Sequence, residues 1–98
     1  MSFDVRILPD TLEHLKSFSA YYQRIILREI EEQLTHTPTE ETSHKTQMLP
    51  NELARWELRV GDYRVFYDVI ESESRVPVVA IGRKVHDKLF IGGREVEL

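Results

Sequence analysis

Arg55, Arg59 and Arg64 crowd into one stretch, Ala54 to Ile70, which reads ARWELRVGDYRVFYDVI. Grouped guanidinium ions suit phosphate, because each planar fork can hold two oxygens side by side. Arg83 and Lys84 follow later in the chain, with His86 just beyond them. Closed around a sugar-phosphate backbone, such cations would stabilise the charge that develops at phosphorus as the adjacent 2′-hydroxyl attacks. Histidine is the side chain that most readily exchanges protons near neutrality, so His86 is a candidate for moving them. Phe66 lies between the cations and offers a ring on which a base could stack. A solvent-exposed loop histidine and a phenylalanine packed under the C-terminal segment are the plainer alternatives for those two residues.

These groups need a scaffold, and the same stretch supplies it. Gly61-Asp62 separates two runs that alternate in polarity, which predicts a β-hairpin with a two-residue turn and glycine at its first central position. Val60 then faces Tyr63, Leu58 faces Val65 and Trp56 faces Tyr67, making an apolar face that seeks a core. The other face sets Arg59 against Arg64, Glu57 against Phe66 and Arg55 against Asp68. Opposed like charges destabilise a ladder by up to ~1 kcal/mol. Either Glu57 or Asp68 relieves the pair, or it awaits an external anion such as phosphate. Two solvated arginines on an open sheet face are the alternative.

The flanking sequence completes a layered domain. Phe3, Val5 and Ile7 alternate with polar residues as a short strand, ended by Pro9-Asp10, with Asp10 as a helix cap and Glu13 placed for a capping box. Leu12, Leu15 and Phe18 keep helical spacing. Ser19 can cap a second helix whose stripe is Tyr22, Ile25, Ile26, Ile30 and Leu34, ending near His36 because Pro38 disfavours helix before it. Residues 37–51 read as a polar loop, with Met48 and Leu49 tucked inward and Glu40, Glu41, His44 and Lys45 on a solvated surface. After a turn at Glu71-Ser72-Glu73-Ser74, the run VPVVAIG suits a strand buried on both faces, with Pro77 near its start. Gly92-Gly93 can turn a second small hairpin. The order is β-α-α-β-β-β plus a C-terminal extension. It predicts one α+β domain over residues 1–98, with two N-terminal helices packed on one face of a small, mostly antiparallel, four-stranded sheet.

Ninety-eight residues suffice for a real core. Without cysteine there are neither disulfides nor thiolate metal sites, and the reducing cytoplasm is the expected compartment. No apolar run reaches the length of a membrane span, and MSFDVRILPD lacks the pattern of a signal peptide. The net charge of -4 argues against indiscriminate nucleic-acid binding. Residues 1–54 carry that whole deficit, so the sheet half remains neutral and free to present a local basic face. His14, His36, His44 and His86 are scattered at no metal-ligand spacing, so no metal or cofactor is expected. No glycine-rich phosphate loop precedes a helix, and no serine stands in a nucleophile elbow.

The core ELR-x-G-x-YR-x-x-Y, followed by a buried strand ending IGRK and then Leu89-Phe90, resembles the RelE/ParE superfamily of type II toxins. The element order matches too, so the resemblance covers almost the whole chain. In RelE-like members the toxin enters the ribosome and cuts mRNA, and a cognate antitoxin wraps and neutralises it. ParE-like members share the fold but poison DNA gyrase. By position, Arg64 corresponds to the family's central phosphate-binding arginine, Arg55 and Arg59 to further cations, and Lys84 to an arginine after the last strand. Glu57 stands where a lysine moves protons in RelE-like enzymes, and Phe90 where a catalytic tyrosine is usual. The resemblance, joined to the cation face, implies a ribosome-dependent endoribonuclease using Arg55, Arg64 and Lys84 for catalysis, with Glu57 or, from its own chemistry, His86 moving protons. Arg59, Arg83, Phe66 and Phe90 would hold RNA, and the toxin would sit in a hetero-oligomer with its antitoxin. A non-catalytic gyrase inhibitor, or a toxin fold whose chemistry has decayed, is the alternative.

Overall fold

The computed structural model describes residues 2–98. Strand β1 (Asp4–Ile7) leads into helices α1 (Pro9–Lys16) and α2 (Ala20–Leu34). Then come β2 (Lys45–Gln47), β3 (Trp56–Val60), β4 (Tyr63–Tyr67), β5 (Arg75–Val85), β6 (Lys88–Ile91) and β7 (Arg94–Val96). They form one sheet in the order β2-β3-β4-β5-β6-β7, with β1 parallel to the first half of β5. The predicted layering holds: both helices lie on one face of a mostly antiparallel sheet. The sheet has seven strands rather than four, because the expected loop contains β2 and the C-terminal extension supplies β6 and β7. Among the described residues, no helix is long and apolar enough to cross a membrane.

The central hairpin has the predicted register, with Trp56, Leu58 and Val60 paired to Tyr67, Val65 and Tyr63. Gly61 adopts φ 58, a left-handed conformation that glycine reaches without a Cβ clash. Its apolar face meets Leu15, Ile26, Ile30 and Leu34 from the helices and Val76, Val78 and Ile81 from β5. Ser19 caps α2 as expected, though through a long 3.4 Å bond from the Tyr22 amide. The start of α1 differs. Pro9 is its first residue, with Leu8 as the cap and no side-chain bond, because proline's fixed φ and missing N–H suit that position. Asp10 sits inside the first turn, and Glu13 pairs with Lys16 at 3.8 Å instead of closing a box.

The expected loop holds a surprise. Lys45 is 1% exposed, and its ammonium donates to Gln33 O (3.0 Å), Thr37 O (2.7 Å) and Thr37 Oγ1 (3.0 Å). A strand residue thus satisfies carbonyls at the end of α2, where the helix dipole favours a cation. Met48 packs inward as expected, but Leu49 is 86% exposed.

Tyr67 is buried and its hydroxyl donates to Pro38 O at 2.7 Å, tying the sheet to the segment after α2. Burial raises its pKa well above the ordinary 10.0. The folded state thus holds this proton more tightly, so the associated stability is complete below about pH 10 and declines as pH rises further. Tyr67→Phe should lose about 1–2 kcal/mol near neutrality by orphaning the carbonyl. Urea melts of the two proteins should converge as pH climbs past 10.

Candidate functional site

Beyond the helix-covered face, the sheet carries a second, smaller core. Phe66 is 0% exposed and packs with Ala54, Ala80 and Leu89, flanked by Met48, Leu53, Ile91 and Val96. The loop after β2 and the hairpin β6-β7 therefore cover part of the face expected to be open. Phe66 belongs to that cluster and presents no ring to a base, so packing, not stacking, describes it.

The cluster divides the expected site. Arg59 and Arg64 do oppose each other, at the hairpin tip. Glu57 relieves them: its carboxylate lies 3.4 Å from Arg59 Nε and 4.0 Å from Arg64 Nε. The Arg64 side chain is only 15% exposed, and its Nη1 also donates to the Gly61 and Tyr63 carbonyls. This guanidinium clamps the turn as much as it faces solvent. Arg55 stands at the other end of β3 beside Gln47, Met48 and Asn51, and its amide donates to the Asp68 carboxylate at 2.8 Å.

Strand β5 decides the rest. Its pairing with β4 shifts by one residue between Phe66 and Tyr67, after which Arg64 faces Gly82 and Tyr63 faces Arg83. Lys84 consequently shares the Glu57 face, and a cleft bordered by both also takes in Asp87, Glu95 and Glu97. Arg83 points the other way and lies over the Tyr63 ring, 5.8 Å from its centroid. Phe90 pairs with Arg83 and so shares that helix-side face. His86 and Asp87 form the β5-β6 turn with φ 51 and 66. His86 is exposed there and does not border the Glu57 cleft.

Of the nine residues singled out, the fold thus gathers Glu57, Arg59, Arg64 and Lys84. It sets Arg55, His86, Phe66, Arg83 and Phe90 apart. The acidic lining was the part that sequence reasoning missed. Glu95 and Glu97 alternate with Val96, whose apolar character signalled that the segment docks on the sheet.

The profile of the ParE toxin of the type II toxin-antitoxin system parDE matches residues 5–87. With that span of the chain matched and the helix-on-sheet fold in place, this protein is a type II toxin-antitoxin toxin of the RelE/ParE family. Solved structures that share the fold include two toxin-antitoxin complexes. One is the toxin-antitoxin complex RelBE2 from Mycobacterium tuberculosis, at TM-score 0.74 and 13% identity, covering 86% of this chain and 100% of that one. The other is the archaeal RelE-RelB complex from Pyrococcus horikoshii OT3, at TM-score 0.67 and 21% identity, covering 88% and 99%. No curated protein sequence gives a match.

Proposed function

We propose that this toxin acts by binding a macromolecular target, in the manner of gyrase-directed ParE proteins, rather than by cutting mRNA on the ribosome. The observation that carries the reading is Glu57, one carboxylate shared by Arg59 and Arg64. A phosphodiester approaching that pair meets two cations whose combined charge one carboxylate already halves. Asp87 and Glu97 near Lys84 add repulsion, while Glu95 is paired with Lys88 at 3.8 Å. Phenylalanine at position 90 cannot donate a proton, and it lies on the opposite face from Lys84. The solved relatives are toxin-antitoxin complexes, which supports a cognate antitoxin for this chain as well.

Induction in a bacterial host separates the two activities. The expected result is growth arrest with DNA-damage signalling and intact messages, reversed by co-expressing a cognate antitoxin. New mRNA 5′ ends appearing at defined codon positions would instead establish the ribonuclease. Glu57→Gln provides a physical check, since it removes the one carboxylate beside two guanidinium groups. The variant should bind single-stranded RNA roughly tenfold more tightly at low salt than the parent, measured by fluorescence anisotropy.

A further inference from the structure

On the helix side of the sheet, a cleft of about 630 Å³ runs between the end of α1 and the hairpin β6-β7. It lies on the opposite face from the Glu57 cluster, and its volume falls within the range of small-molecule sites. Phe18, Val85 and Phe90 line it with apolar surface, and His14 and Arg83 bring nitrogen donors.

His14 is held in one orientation for a topological reason. Strand β1 pairs with β5 only as far as Val78, and β6 begins pairing at Gly82. The edge of β5 is open between them, and there the Ile81 amide donates to His14 Nδ1 at 3.3 Å. With Nδ1 accepting, the proton of the neutral ring sits on Nε2. That nitrogen lies beside Gly92, where even an added Cβ would come no closer than 3.7 Å. No protein acceptor takes the Nε2 proton among the described residues. Arg83 likewise forms no ion pair there and rests on the Tyr63 ring. Glu13, the acid at the rim, is well exposed and pairs with Lys16.

A fixed N–H donor and an unpaired guanidinium beside two phenylalanine rings have a chemical complement. We infer that this cleft binds a small planar aromatic anion, with the ring against Phe18 and Phe90 and the carboxylate or phosphate on Arg83 and His14. Ring contacts with Phe supply apolar burial, and the charge-assisted bonds to Arg83 fix orientation.

Proton–nitrogen correlation spectra of the full chain, titrated with indole-3-acetate and separately with adenosine monophosphate, test this. Tryptophol and adenosine serve as uncharged controls. Saturable shifts at His14, Arg83 and Phe90 with either anion support the site, and the stronger of the two identifies the acid group. Arg83→Gln should weaken the binding roughly tenfold. Val85→Glu, at an exposed strand position, should weaken it at least as much by adding a like charge. Thermal melts establish that both variants remain folded. No saturable shift with either anion overturns the inference. So does equal binding of the uncharged controls, or binding indifferent to Arg83→Gln in a folded protein.

Discussion

Lys45→Met is expected to destabilise the domain by about 3 kcal/mol, a large share of the roughly 5–15 kcal/mol that holds a domain of this size together. Methionine keeps much of the lysine's length and apolar character, so packing changes little. What disappears is the ammonium that satisfies Gln33 O, Thr37 O and Thr37 Oγ1. Three part-buried acceptors then lose their charged donor, at the end of a helix with no basic residue in its last turn. Chemical denaturation at pH 7 measures the loss. Burial lowers the Lys45 pKa below its ordinary 10.5, with Glu40 opposing the shift. The unfolded chain therefore holds this proton more tightly, and the group's contribution to stability increases as pH rises towards 10.5. The deficit of Lys45→Met should widen over that interval. A variant as stable as the parent would show that the ammonium bonds contribute nothing net.

Gly82→Ala is expected to be nearly as damaging, by about 2–3 kcal/mol, through crowding rather than lost bonds. A Cβ at this position would come 2.7 Å from the Phe90 carbonyl oxygen, 2.9 Å from Ile91 Cγ1 and 3.0 Å from Leu89 Cδ1. The first of these is backbone and cannot swing aside, so β6 must move away from β5. Because β6-β7 carries Leu89, Ile91 and Val96 onto the second cluster, its displacement uncovers Phe66. Hydrogen exchange should show residues 88–96 losing protection ahead of β3 and β4. Uniform loss across the sheet would indicate that the hairpin is not a separable cover.

Both variants probe features that the sequence conceals, whereas much of the remaining architecture is legible in it. The period-two alternation around Gly61-Asp62 specifies the hairpin register down to Arg59 facing Arg64, since turn and strands lie within one short window. The helical stripe of Ile26, Ile30 and Leu34 identifies its own buried face in the same way. Gly92-Gly93, with φ 60 and 79, closes the second hairpin because glycine alone enters that region freely. The family follows from the motif on the central hairpin.

Only the tertiary structure decided which cations meet. Had β4 and β5 paired without interruption from Tyr67 and Val78, strict alternation would have put Arg83 beside Arg64 and turned Lys84 towards the helices. The one-residue shift in that ladder reverses the parity of every later residue, sending Lys84 to the Glu57 face and Arg83, with Phe90, to the other. Nothing local in VPVVAIGRK marks where a strand far away in sequence will slip. Phe66 was concealed for a similar reason: its burial depends on Ala54, Ala80 and Leu89, which the chain brings together only once the sheet has formed. The sequence determined the layers, the hairpin and the family by short-range periodicity. Long-range pairing determined that Lys84 joins the Glu57 face and that Arg83 serves a different one.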